Sequence, residues 1–440
     1  MMMVRSLFVF FLLSICFAEE IEVRLSTSSH VKPLYITKFW NDERTFDWRY
    51  LEELREVLLF DLNAGGNASL LSNQDSWEET FHWPDPRKDF NLALWKREKV
   101  SYVITGFASR GSLHFTVFNI QNGSSKRYPE IPLTSKLDTD RRLIHRFSDQ
   151  CHKDLFGVEG IASLRVIYAQ RFFDHESKWR SEIFLADADG ANSKQLTRGC
   201  GYCITPAFFP GSAERFFFVS HKEGQSKIYQ SSLSNPNPTP CIQLRGNQLL
   251  PSIHPKGHLM AFVTDVAGRP DLFIQSLEKH GKARQIFSAP RATQASPTFS
   301  PDGKKIAFVS DKEGPPRIYV LDLLSSKDTT RARPILLTQK NRENTSPAWS
   351  PDGKKLAYSA KVEGVRQIWL YDFATGEETP LTSGGQNKEN PSWAPNSVHL
   401  VYNTEEGDEG QLFLIHIEKK EPIQLTKGEG QKRFPSWERL

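Results

Sequence analysis

From residue 165 onward, short runs of β-branched and aromatic residues alternate with polar turn clusters at a nearly constant interval. One run recurs as Arg165-Val-Ile-Tyr168, Phe216-Phe-Phe-Val219, Leu259-Met-Ala-Phe262, Ile306-Ala-Phe-Val-Ser310, Leu356-Ala-Tyr358 and Leu400-Val-Tyr402. A second follows each of them, as Ile183-Phe184, Ile228-Tyr229, Leu272-Phe273, Ile318-Tyr-Val-Leu-Asp322, Ile368-Trp369 and Leu412-Phe413. Their length and composition predict strands. Six segments open on a proline followed by small or apolar residues: Pro206-Ala-Phe, Pro251-Ser-Ile, Pro297-Thr-Phe, Pro347-Ala-Trp, Pro391-Ser-Trp and Pro435-Ser-Trp437. Successive prolines are 45, 46, 50, 44 and 44 residues apart. A strand-built repeat of that period predicts a β-propeller.

The unit from Pro297 shows the internal order. Ser300-Pro-Asp-Gly303 is a tight turn, in which Pro fixes φ, Asp bonds the local backbone and Gly can take a positive φ. The run from Ile306 follows, Asp311-Lys-Glu-Gly314 turns the chain into the run from Ile318, and Ile335-Leu-Leu-Thr338 ends the unit. Four short antiparallel strands make one blade. The first unit lacks the opening proline segment, while Phe434-Pro-Ser-Trp437 is an opening with nothing after it. The end of the chain is therefore expected to supply the inner strand of the first of six blades, placing Trp437 beside Val166 and Ile167. Such a ring leaves only short edges.

The first part of the chain is patterned differently. Leu51, Leu54, Val57, Leu58 and Leu62 recur at helical spacing within 48–62, as do Leu143, Ile144, Phe147, Cys151 and Leu155 within 142–155. Tyr102-Val-Ile-Thr105 and His114-Phe-Thr-Val-Phe118 alternate like a hairpin. These predict a small N-terminal α/β domain over 19–158 and an all-β six-bladed propeller over 159–440, with Gly157 and Gly160 at the joint.

Composition adds compartment. Arg5, the apolar run Leu7 to Phe17 and the small residue Ala18 form a signal peptide, 1–18. That run is too short to span a bilayer permanently, and no later segment has the ~20 apolar residues needed. The mature chain is expected to be soluble outside the cytoplasm. Ile15 before Cys16 makes a poor lipoprotein site. The formal net charge is +4, with basic and acidic residues interspersed, so nucleic acid is not implied as a partner.

Candidate chemistry is sparse. Cys200-Gly-Tyr-Cys203 has metal or redox spacing but lacks matched further ligands, and reads as a surface turn with or without a disulfide. Asp187-Ala-Asp189-Gly190 resembles the start of a calcium loop, but Arg198 stands where a terminal Glu is needed, so it reads as an ordinary turn. Peptidases that carry a propeller as a gate need a Gly-x-Ser-x-Gly nucleophile elbow, which does not occur here. No catalytic residue, metal or cofactor is expected. The alternatives to a protein-binding propeller are one that gates or accompanies a peptidase and one that binds peptidoglycan or another carbohydrate.

The joint narrows the choice. Arg141-Arg-Leu-Ile-His-Arg146, Asp149, Lys153-Asp-Leu-Phe-Gly157-Val-Glu-Gly160 and the run from Arg165, together with the terminal Phe-Pro-x-Trp, resemble the TolB family of the Tol-Pal envelope system. The resemblance covers nearly the whole chain. It implies a periplasmic, non-enzymatic protein that supports outer-membrane integrity and cell division by binding two partners. An N-terminal segment, here Glu20, Ile21, Glu22, Val23, Arg24, Leu25 and Ser26, engages TolA. The propeller mouth engages the lipoprotein Pal through loops just before the blade prolines. By position these contribute Arg291, Thr293 and Gln294; Asn341, Arg342, Glu343 and Asn344; Asn387, Lys388, Glu389 and Asn390; and Gln431, Lys432 and Arg433. The resemblance also suggests that occupation of the mouth biases the N-terminal segment between its own domain and TolA. Residues 63–95, with Trp77, His82-Trp83-Pro84 and Trp95, match no part of the family pattern, and the segment after Ser26 matches poorly.

Overall fold

A computed structural model of the chain describes residues 31–42, 45–174, 176, 178–235, 237–278, 281–323 and 333–438. The expected signal peptide, 1–18, and the expected TolA-binding segment Glu20–Ser26 lie outside these residues.

The N-terminal domain runs β1 (Lys32–Ile36), β2 (Trp40–Asn41), α1 (Trp48–Ala64), β3 (Ala68–Leu70), α2 (Asp75–Glu78), α3 (Leu92–Arg97), β4 (Tyr102–Ser109), β5 (Ser112–Asn119), β6 (Ser124–Arg127), β7 (Ile131–Pro132) and α4 (Leu137–Phe156). Its sheet has the order β3-β1-β4-β5-β6, with β1 parallel to both neighbours and β4–β5 an antiparallel hairpin. Helices α1 and α4 pack on one face through Leu51, Leu54, Leu58, Ile144, Phe147 and Cys151. The Trp-rich segment covers the other face, where Tyr35, Phe81, Trp95 and Phe118 form a second core. With both faces covered, Val103 and Ile104 are each fully buried, so β4 shows no simple alternation.

Helix α4 begins five residues before the stretch predicted from its apolar stripe. Asp138 and Asp140 occupy its first turn, where carboxylates suit the helix dipole. Asp140 is fully buried and accepts from the Tyr50 hydroxyl at 2.6 Å and the Thr134 amide at 2.9 Å. Leu143 and Leu155 are only half-buried, whereas His145, Ser148 and His152 are buried.

The propeller has six four-stranded sheets. In the first, Gln431–Trp437 pairs antiparallel with Arg165–Phe173, putting Trp437 opposite Val166 and Ser436 opposite Ile167. The tail closes the ring as expected. Trp437 is fully buried.

Each inner strand carries a register shift at its proline. The preceding residue, Thr205, Leu250, Ser296, Ser346, Asn390 or Phe434, has φ between 46° and 53°. Proline disfavours the right-handed α region for its predecessor, and here six non-glycine residues take the left-handed region instead. The shift lets the proline segment line a central cavity of about 570 Å³ bounded by Pro206, Pro251, Pro297, Pro347, Pro391 and Pro435.

Strand direction gives the ring two faces. The loops before the prolines and the hairpins between second and third strands lie at one end; the Ser-Pro-Asp-Gly turns and the turns after third strands lie at the other. The N-terminal domain docks on the second end, against blades 1 and 6. His399 Nε2 lies 2.9 Å from the Ala64 carbonyl, Lys419 Nζ donates to Ala68 O at 3.3 Å, and Asn396 Nδ2 to Glu159 O at 3.4 Å. Ala64, Ile161 and Leu164 join Ala188, Ala394 and Leu425 in one apolar cluster across the joint.

Candidate partner-binding rim

The residue three before each blade proline is Cys203, Gln248, Gln294, Asn344, Lys388 or Lys432, and all six are buried. Each is the first or second residue of its strand and turns inward, where it can satisfy the loop arriving from the previous blade. Gln248 Oε1 accepts from Ile228 N at 3.2 Å, and its Nε2 donates to Leu244 O at 3.0 Å. Gln294 accepts from Ser310 Oγ at 2.7 Å. Asn344 Nδ2 donates to Asn341 O at 2.8 Å and to Thr338 Oγ1 at 3.1 Å. Lys388 Nζ donates to Gln386 O at 3.0 Å, and Lys432 Nζ to Gly428 O at 2.6 Å and Glu429 O at 2.7 Å. Burial pushes both lysine pKa values below the usual range. These side chains staple the rim from inside.

Gln431 belongs with them. It is buried, donates to Gly407 O at 2.6 Å and accepts from Arg171 at 3.2 Å. Arg291, Thr293 and Arg342 are exposed, while Asn341, Glu343, Asn387, Glu389, Asn390 and Arg433 are half-buried. Asn387 Oδ1 accepts from Arg366 N at 2.9 Å, and Asn390 bridges Ser346 Oγ at 3.1 Å and Asn403 Oδ1 at 2.9 Å.

The half-buried acids and bases join side chains absent from the sequence expectation. Arg366 reaches Glu389 at 3.1 Å, Glu343 at 3.7 Å and Thr345 Oγ1 at 3.1 Å. Lys361 lies 3.5 Å from Glu343, and Arg433 meets Glu405 at 2.6 Å. Burial, reinforced by the Glu405 charge, raises the Glu389 pKa against the opposing pull of Arg366 and Arg433. The result is a band of alternating charge over blades 5, 6 and 1. Arg366, Lys361 and Glu405 sit at the hairpins between second and third strands, which return to the same end of the ring as the loops before the prolines. Counting strand direction around one blade would have found them; scanning only the sequence before each proline does not.

In blades 2 to 4 the residues two before the proline are Ile204, Leu249 and Ala295; in blades 5, 6 and 1 they are Thr345, Glu389 and Arg433. At this position the rim changes from apolar in blades 2 to 4 to a threonine, an acid and a base in blades 5, 6 and 1. This arrangement suits recognition of a folded surface by hydrogen bonds and charge pairs.

The cysteine pair differs from the surface turn expected. Cys200 and Cys203 are buried and disulfide-bonded, with the Glu182 carboxylate 3.1 Å from Cys200 Sγ. The sequence interval shows nothing of this burial, because the neighbouring strand that covers the turn lies in the previous blade. No helix among the described residues is long and apolar enough to cross a membrane.

Comparison with known proteins agrees with this architecture. The family model for the TolB beta propeller domain matches residues 152–440. A protein TolB homolog of Protochlamydia amoebophila is 41% identical over 84% of this chain and 81% of its own. One from Chlamydia pneumoniae is 33% identical over 65% of this chain and 63% of its own. The crystal structure of TolB from Acinetobacter baumannii superposes with a TM-score of 0.74 at 24% identity, covering 92% of this chain and 96% of that one, a likeness of fold. The propeller profile spans more than half of the sequence, and a relative at 41% identity extends the match into the N-terminal domain: the chain belongs to the TolB family.

Proposed function

We propose that this protein acts in the periplasm, after removal of residues 1–18, as a binding component of the Tol-Pal system that catalyses no reaction. It holds the lipoprotein Pal at the propeller rim and engages TolA through Glu20–Ser26, and in doing so supports outer-membrane integrity and cell division. The observation that carries the Pal assignment is the charged band over blades 5, 6 and 1, on the end of the ring left free by the N-terminal domain. Arg291, Thr293 and Arg342 present outward-facing groups there, while Gln294, Asn344, Lys388, Gln431 and Lys432 keep the loops in shape beneath them. Family membership supports the TolA assignment.

Mixing the tag-free mature chain with purified Pal tests the reading by calorimetry. A saturable complex is expected, weakened at least tenfold by Arg291→Glu with Arg342→Glu. Deleting residues 20–26 is expected to abolish TolA capture and spare Pal capture. No complex with the unmodified chain, or one indifferent to both charge reversals, contradicts the rim assignment.

A further inference from the structure

Across the joint, helix α4 of the N-terminal domain presents His145 to the turn Asp187-Ala-Asp189-Gly190 of blade 1. His145 Nδ1 lies 2.9 and 3.0 Å from the two Asp61 carboxylate oxygens on α1. Asp61 thereby fixes the ring with Nε2 on the side facing the propeller; in the neutral form with Nδ1–H toward Asp61, Nε2 carries the lone pair. His145 is 1% exposed, and its Nε2 is buried with no hydrogen-bond partner. Asp189 Oδ2 stands 3.9 Å from it. One ligand atom from each of His145, Asp187 and Asp189 lies within 4.8 Å of the other two.

A buried imidazole nitrogen without a partner carries a desolvation cost that a ligand can offset. A histidine that donates its other ring N–H to a carboxylate has the arrangement metal-binding histidines use, since the carboxylate fixes the tautomer and raises ligand basicity. One imidazole with two carboxylates suits a first-row divalent ion; calcium would require six to eight oxygens. Asn192 Nδ2 donates to Asp187 Oδ2 at 2.7 Å and orients that carboxylate. From these residues we infer that His145, Asp187 and Asp189 form a divalent transition-metal site that ties α4 to blade 1, with water completing the coordination. This inference does not depend on what the rim binds.

Two cations already face the cluster. Arg141 pairs with Asp189, and Arg142 lies 3.9 Å from Asp187 with its side chain largely in solvent. Entry of the ion requires Arg141 to give up Asp189. Removing Arg141 therefore strengthens metal binding, a direction opposite to that expected for a residue needed to build the site.

The test is competitive titration of zinc against a chromophoric chelator, using the tag-free mature chain after stripping with EDTA. About one equivalent should bind to the unmodified protein. His145→Gln should weaken binding at least tenfold, Asp61→Asn by ~10–100-fold as for an outer-shell partner, and Arg141→Ala should tighten it. Far-UV circular dichroism of the metal-free proteins establishes that each is folded; should His145→Gln not fold, Asp187→Asn, on a propeller turn, takes its place with the same expected loss. Cobalt substitution should give d–d bands without thiolate charge transfer. Absence of stoichiometric zinc in the unmodified protein, equal affinity in the folded ligand variant, or a sulfur charge-transfer band placing the ion at Cys200 and Cys203 overturns the inference.

Discussion

Arg165 and Glu438 are 273 positions apart in sequence, yet their side chains form a two-pronged ion pair, with Nε to Oε2 at 3.0 Å and Nη2 to Oε1 at 2.8 Å. The Glu438 amide also donates to the Arg165 carbonyl at 2.9 Å, and Arg165 Nη2 reaches Ala213 O in blade 2 at 2.6 Å. The Glu438 carboxylate raises the guanidinium pKa further above its ordinary value. This pair fastens the last strand to the first blade and the first blade to the second. Planar forked geometry makes arginine suited to the place, and lysine could not reproduce it.

Breaking this fastening should cost more than a surface ion pair, because the Glu438 side chain is only 4% exposed. Glu438→Gln leaves Arg165 without its counter-charge and is expected to lower unfolding stability by about 3 kcal/mol. Trp437→Ala opens a cavity at the blade junction and should lower it by about 3–5 kcal/mol. Urea unfolding followed by tryptophan-independent circular dichroism measures both; midpoints unchanged within error would show that the tail is not what closes the ring.

The ring was legible because propeller blades are local: each strand pairs mainly with the next, so the turn residues, the apolar runs and the 44–50-residue interval all report on contacts close in sequence. The closing strand was legible from Phe434-Pro-Ser-Trp437, an opening without a unit. What the sequence concealed depends on distant partners. Gln294 and Lys432 read as polar loop residues, but side-chain length lets them reach carbonyls beneath the rim. His145 and His152 sit on the polar stripe of α4 and are buried between α1 and the docked propeller, through partners distant in sequence or beyond the helix end. The Trp-rich segment has no period, since it packs as a cover of turns and two short helices instead of one amphipathic element.

Thr205 concentrates backbone strain. It is β-branched, has φ 49°, and its hydroxyl is buried without a hydrogen-bond partner. Left-handed conformation is unfavourable for such a side chain, and glycine adopts it freely. Thr205→Gly should therefore raise stability by about 1 kcal/mol, seen as a higher thermal midpoint; a lower midpoint would mean that the threonine methyl packs usefully against the cavity wall.

The joint between the domains should weaken in mild acid. His399 Nε2–H donates to Ala64 O and its Nδ1 lies 2.9 Å from Asn396 Nδ2, so a neutral ring uses both nitrogens and has no place for a second proton. Burial, with the nearby His416 adding to it, pushes the His399 pKa down to about 3. The unfolded chain would protonate near 6.5, so the stabilisation is complete above that pH and is lost as pH falls from about 6.5 toward 3. At pH 5 the loss from this residue is about 2 kcal/mol. His416 and Lys419, whose pKa values burial also lowers, act in the same direction in their own ranges. Denaturation midpoints between pH 7.5 and 5 should fall in the parent and fall less in His399→Gln.

Rim residues should divide into two kinds. Lys432→Met leaves the carbonyls of Gly428 and Glu429 without their donor and is expected to cost about 2 kcal/mol, with faster amide exchange in 427–430. Lys388→Met should behave similarly at Gln386. Arg291→Ala and Arg342→Ala, on exposed side chains, should stay within about 0.5 kcal/mol of the parent. Equal stability in all four variants would contradict the stapling role.

Hydrogen–deuterium exchange of the mature chain with and without saturating Pal tests the assignment of the rim most directly. Protection is predicted at 291–294, 341–344, 387–390 and 431–433 and at the neighbouring hairpins carrying Arg366 and Glu405, with no comparable change at the opposite-face turns 254–258 and 301–304. Protection confined to that opposite face, or no change anywhere on the propeller, would contradict it.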